Sequence, residues 1–233
     1  MIMIVHTHLT KGRNFRVKGI AMNRLFFALI VWLPIAAFAR ADEFRNHSTS
    51  LFDGQSLAGW EGNEQWFRVQ DQAIVAGSLK EKIPHNEFLC TEKEYEDFDL
   101  RLEAKLVGEG QNAGIQFRSQ RVPRSTEVSG YQADVGAAWD RPVWGAIYDE
   151  SRRRKMLAEP DPELARRIVK ADQWNEVRVL CQGPRIQIFV NGQRTVDYTE
   201  TDADIPRSGI IGLQIHSGKP TEAWYRNIRI QSL

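Results

Sequence analysis

Cysteine is scarce in this sequence: Cys90 and Cys181 are the two in 233 residues. Two thiols are too few for a cysteine-built metal site or a disulfide scaffold. They could pair in an oxidising compartment or stay free inside the apolar runs that carry them, and the sequence leaves both open. Long apolar runs are also missing. The longest, Leu25–Ala39, is shorter than the ~20 residues of a membrane-spanning helix and contains Pro34. There is no internal repeat, no low-complexity tract and little helical periodicity.

An excess of positive charge is absent where it would matter. The chain carries +1 overall, but residues 1–41 hold six basic side chains and no acidic one. The rest has 25 Lys and Arg against 30 Asp and Glu, a net charge of −5. A nucleic acid is therefore not an expected partner.

The basic, apolar N-terminus has its own logic. Met22-Asn23-Arg24 precedes "LFFALIVWLPIAAFA", and small residues follow at Ala37, Ala39 and Ala41. A basic start, an apolar centre and a small-x-small site make 22–41 an expected secretory signal peptide. Residues 1–21 read as an upstream extension, with Met22 as the start. The exported chain is then expected in the periplasm or outside the cell, without a membrane span. Residues 42–50 form a short N-terminal segment, and 51–233 a single domain.

What the domain does contain is β-pattern. In "FDLRLEAKLV", Phe98, Leu100, Leu102, Ala104 and Leu106 alternate with Asp99, Arg101, Glu103 and Lys105. That period of two marks a half-buried antiparallel strand. "WFRVQDQAIVAG" reads as two strands around Asp71-Gln72, and Asn191-Gly192 is a two-residue hairpin turn. "AGIQFRS", "GYQADVG", "WNEVRVLCQG", "RIQIFVNGQRTVDY" and "GIIGLQIHS" continue the series, with a short helix expected near Glu163–Lys170. Many short strands and turns predict an all-β, two-sheet antiparallel sandwich of jelly-roll type.

Three strands carry long polar groups opposite their apolar face: Gln116 and Arg118, Gln132 and Asp134, Gln214 and His216. One such pair is accounted for by a solvent-facing strand face. Three pairs offering amide, guanidinium, carboxylate and imidazole favour the polar floor of a binding cleft. Trp139 and Trp144, in a loop of Asp, Arg and Pro, are candidates to stack on the C–H face of a sugar. Tyr148 closes the run "WGAIY", Asp149 and Glu150 follow it, and all three are expected at the cleft wall.

The ordered set "LFDGQSLAGW", "EKEYEDFDLRLEAKL", "NAGIQFRS", "GYQADV", "GAIYDE", "WNEVRV…GPRIQIFVNG" and "SGIIGLQIHS…WYRNIRIQSL" resembles the 3-keto-disaccharide hydrolase domain family. The resemblance covers Leu51 to Leu233. It implies a concanavalin A/laminin G-type jelly roll and a saccharide or 3-keto-saccharide substrate. The implied chemistry removes the C2 proton acidified by a C3 ketone and expels the C1 substituent, after which water can add. This needs a base, a stabiliser for the enolate oxygen and an acid for the leaving group. On the resemblance, Asp134 or Glu150 is the base and His216 its acid–base partner. Arg118 stabilises the enolate, and Gln116, Gln132 and Gln214 orient hydroxyls. A divalent cation on Asp134, Glu150 and His216 is the alternative to Arg118. A non-catalytic carbohydrate-binding module and a plain interaction domain remain as competing readings.

Overall fold

The computed structural model describes residues 43–233; the expected extension and signal segment lie outside the described residues. The strands, in chain order, are β1 (Thr49–Ser50), β2 (Trp60–Glu61), β3 (Phe67–Gln70), β4 (Ala73–Ser78), β5 (Glu87–Tyr95), β6 (Phe98–Gly108), β7 (Asn112–Arg121), β8 (Val128–Ala138), β9 (Arg141–Pro142), β10 (Ile147–Glu150), β11 (Met156–Ala158), β12 (Asn175–Gln182), β13 (Arg185–Val190), β14 (Gln193–Thr199), β15 (Gly209–Ile215) and β16 (Thr221–Ser232). They form two antiparallel sheets. The first runs β14-β13-β12-β6-β16-β4-β3, with β1 beside β16. The second runs β11-β10-β8-β7-β15-β5-β2, with β9 beside β8.

The period-two pattern of β6 does what it predicts. Leu100, Leu102, Ala104 and Leu106 are buried, and Arg101, Glu103 and Lys105 are half-exposed. They join one core with Ile115 and Phe117 of β7 and Tyr131, Ala133 and Val135 of β8. Phe117 and Tyr131 stack with centroids 5.6 Å apart. Each such side chain contributes roughly 1.5–3 kcal/mol by leaving water. Between β3 and β4, Asp71 and Gln72 both take positive φ, 50° and 57°, as a tight primed turn demands. The Asn191-Gly192 turn repeats this at 49° and 76°.

The helix spans Pro162–Ile168, with Asp161 capping the amides of Glu163 and Leu164. It starts one residue before the expected span and ends two before it. Cys90 and Cys181 are free and buried, and burial pushes both thiols up to about 12. Neither is poised to react.

Candidate active site

The second sheet turns one face to the core and the other to a cleft of about 740 Å³. That is the size of an ordinary small-ligand site, and it is roomier than one sugar ring requires. Its floor is set by register. Gln132 of β8 pairs directly with Gln116 of β7 and Tyr148 of β10, and Asp134 pairs with Gly114. A Cβ at Gly114 would sit 2.3 Å from Cδ of Gln132, so glycine there is what lets Gln132 lie across the strand. Asp134, Gln132, Tyr148 and Glu150 line the cleft, with His216 at the end of β15. Sequence reasoning did not find Asn86, Glu109, Asn112 and Lys219, which complete the wall from loops and strand ends and follow no alternation.

The electrostatics of the floor are unusual. Asp134 is nearly buried, and Gln132 Nε2 donates to its Oδ1 at 2.6 Å. Burial pushes this carboxyl up to about 7, against the Gln132 hydrogen bond and with help from the charges of Glu150 and Glu159. Glu150 is also raised, by burial and then by Glu127, although Ser151 N–H and Gln214 Nε2 donate to it. Burial, then Glu150 and Asp134, raise the Tyr148 phenol, which stays a hydrogen-bond donor. His216 Nδ1 lies 2.7 Å from the Ser217 carbonyl. A carbonyl only accepts, so Nδ1 carries the hydrogen and Nε2 is the free nitrogen.

Five expected residues lie elsewhere. Arg118 does not share a face with Gln116. A bulge between Phe117 and Gln120 and a φ of 46° at Arg118 swing it away. Its guanidinium is buried against Asp97 at 2.7 Å and donates to the Glu96 and Gly183 carbonyls, so it cannot reach an enolate in the cleft. Trp144 is buried in the core, not offered to a ligand. Asp149, next to Glu150, points to the opposite side and is locked by Arg152 and Arg153. Gln116 and Gln214 are fully buried and outside the lining: Gln116 stands behind Gln132, and Gln214 donates to Glu150 from beneath.

Asp134, Glu150 and His216 share the cleft without forming a metal-ligand set. Among the described residues no group of three or more His, Cys, Asp or Glu is placed to hold a metal ion. The cation offered as the alternative to Arg118 does not fit the arrangement of these three.

A model of the 3-keto-alpha-glucoside-1,2-lyase-like domain matches residues 47–231, nearly all of the described chain. The chain belongs to this family. A comparison with curated proteins finds no match. Solved structures share the family's sandwich at low identity. A proposed glycosyl hydrolase from Parabacteroides distasonis is 18% identical, with a TM-score of 0.62, over 82% of this chain and 96% of its own. The carbohydrate-binding module CBM66 from Bacillus subtilis is 17% identical, with a TM-score of 0.56, over 75% of this chain and 96% of its own. A Bacillus subtilis protein of unknown function with a galectin-like fold is 11% identical, with a TM-score of 0.56, over 79% of this chain and 94% of its own. At these identities the likeness is one of fold. The family makes the function carbohydrate-related.

Proposed function

We propose that this protein is an exported enzyme that cleaves glycosides already oxidised to a ketone at C3, by taking the C2 proton and eliminating the C1 substituent. One observation carries the reading. Asp134, Glu150, Tyr148 and His216 converge on a single cleft, and neither carboxylate has an ion-pair partner among the described residues. The family's name supports the substrate class. The basic, apolar and small-residue succession of 22–41 supports export.

The residues divide the work as follows. Asp134 Oδ2, to which no described group donates, takes the C2 proton. A carboxyl that titrates near 7 is matched to that task at neutral pH. The C–H electron pair moves into an enolate, whose oxygen accepts a hydrogen bond from the Tyr148 phenol. The pair returns to form C1=C2 as the C1–O bond breaks. Glu150, raised and able to be protonated, gives its proton to the departing oxygen. Water then adds: its oxygen bonds C1 as Glu150 takes one of its protons, and Asp134, after exchanging the abstracted proton with solvent, delivers a proton to C2. His216 Nε2 holds the water or hydroxyl. If the sugar leaves before water adds, the product is unsaturated.

The test is cleavage of a 3-keto-glucoside and of its unoxidised parent by the purified protein in D2O, followed by mass spectrometry. The expected result is cleavage of the keto form alone, giving an unsaturated sugar or a hydrated one with deuterium at C2. Cleavage of the parent would make it a conventional two-carboxylate glycosidase. Binding of the parent with no cleavage of either would make the cleft a lectin-like platform.

A further inference from the structure

Behind Asp134 lies a one-way chain of hydrogen bonds. At its far end the single Ser119 hydroxyl hydrogen is shared between Gln116 Oε1 at 3.1 Å and the Phe117 carbonyl at 3.0 Å, with the Tyr131 carbonyl at 3.4 Å. Gln116 Nε2 donates to Gln132 Oε1, and Gln132 Nε2 donates to Asp134 Oδ1 at 2.6 Å. Ser119 and Gln116 are fully buried and Gln132 nearly so. Each step fixes the next. With Gln116 Nε2 against its carbonyl, Gln132 cannot flip without setting amine on amine and carbonyl on carboxylate. Glu150 has no such backing: Gln214 Nε2 reaches it at 3.3 Å, but Gln214 Oε1 is buried with no partner.

We propose that Gln116 is a positioning residue for Asp134: it never meets substrate, but it locks the polarity of Gln132 and so fixes which oxygen of Asp134 faces the reacting carbon. This rests on the base role proposed for Asp134 and replaces the expectation that Gln116 binds sugar hydroxyls. The relay supplies an N–H to the ionised carboxylate, which favours the charged form. It works against burial and the charges of Glu150 and Glu159. Glu150 and Tyr148 come from β10 and Glu159 from beyond β11; Glu109, Asp140, His216 and Lys219 line the same cleft. A cut relay leaves Gln132 free to turn its carbonyl to Asp134, which then holds its proton to higher pH.

The experiment reads the Asp134 side-chain carboxyl directly, by 13C NMR titration of the purified protein, with Asp134→Asn assigning the signal. Wild type is expected to titrate near 7. In Gln116→Met the midpoint moves up by about one pH unit, the worth of a hydrogen bond to a charged acceptor. The acidic limb of kcat/KM moves with it, and the basic limb, which Glu150 sets as the acid, is not displaced. Gln116→Glu, which as a neutral acid still donates to Gln132, restores the wild-type midpoint. Ser119→Ala, a cut at the far end that adds no bulk, gives a smaller shift of the same sign should Gln116→Met not fold. Unmoved midpoints in folded Gln116→Met or Ser119→Ala would overturn the proposal, because a purely structural role lowers stability without moving a titration. The two readings separate cleanly. A moved midpoint without keto-glycoside cleavage keeps the relay and removes the enzyme, and cleavage with an unmoved midpoint does the reverse.

Discussion

Asp149 and Glu150 are neighbours in the chain and opposites in surroundings. Strand alternation sends Asp149 to the side of Tyr131, where Arg152 and Arg153 hold it, and Arg153 also binds Glu200. Tyr131 and Tyr198 donate to Glu200 as well, and Arg152 lies over the Tyr131 ring. Elsewhere Asp99 is held by Arg101 and Arg178, and Asp97 by Arg118. Alternation sends Glu150 to the side of Asp134, and these two carboxylates meet amides instead of cations. A buried acid given an arginine is part of the scaffold, since pairing offsets the loss of water. A buried acid given only an amide keeps a raised affinity for protons, which a scaffold does not need and a general base does.

The largest expected effect tests the unpaired side. Asp134→Asn keeps shape and removes the base, so kcat/KM on the keto-glycoside falls by roughly 10²–10⁴. Stability responds in the unusual direction. The carboxyl titrates near 7 when folded and at its ordinary 3.8 when unfolded, so between these values the folded state binds more protons. Its contribution is full below 3.8 and is lost as pH rises through about 7. Urea unfolding at pH 5 and pH 8 is therefore expected to show wild type losing stability relative to Asp134→Asn. A constant difference would mean that the carboxyl is not raised in the folded protein.

The paired side answers with stability alone. Asp149→Ala leaves two arginines beside a fully buried vacancy, at a cost of about 3 kcal/mol. The acidic limb of the rate profile stays near 7, because Asp134 is untouched. Here acid is the denaturant. Burial pushes Glu200 up, but hydrogen bonds from Arg153 and Tyr131 overcome it and hold the carboxyl at about 2. Its contribution is present above 4.5 and is lost as pH falls through about 2. Thermal melts across that range check the sign.

The sandwich was legible because alternation is written residue by residue: β6 and the two primed turns were plain in the sequence. So was the Gln132–Asp134 face, where the alternation of β8 holds through the floor. Arg118 was misplaced because the same alternation was extended through a bulge, and a single positive φ at a non-glycine residue leaves no mark in the sequence. Asp149 was misplaced for a different reason. The run "YDESRRRK" contains its two arginine partners, but strand parity decides whether they meet Asp149 or Glu150. Trp144 was read as a loop residue, and the core closed over it. Asn86, Asn112 and Lys219 reach the cleft from loops and strand ends, where no period predicts direction.

Trp139 gives the smallest effect and separates binding from chemistry. It is 66% exposed, and with Asp140 it forms the turn between β8 and β9 at φ of 49° and 59°. That is a turn better suited to Asn-Gly. Exposing the largest side chain on a backbone that disfavours it weakens the fold, and this makes Trp139 a candidate for ligand contact. Its ring stands 6.3 Å from Tyr148 on the rim of the cleft, and Arg141 over it is tied to Glu159. On the proposed mechanism, with Asp134 at the floor and Trp139 at the mouth, the reacting sugar is expected deep in the cleft and its C1 substituent against the indole. Trp139→Ala is then expected to raise KM about five- to tenfold, roughly 1 kcal/mol of apolar contact, with kcat unchanged. Trp139→Gly should do the same to KM and raise the melting temperature, because glycine accepts the positive φ. A fall in kcat at constant KM would move Trp139 from the leaving group to the reacting ring.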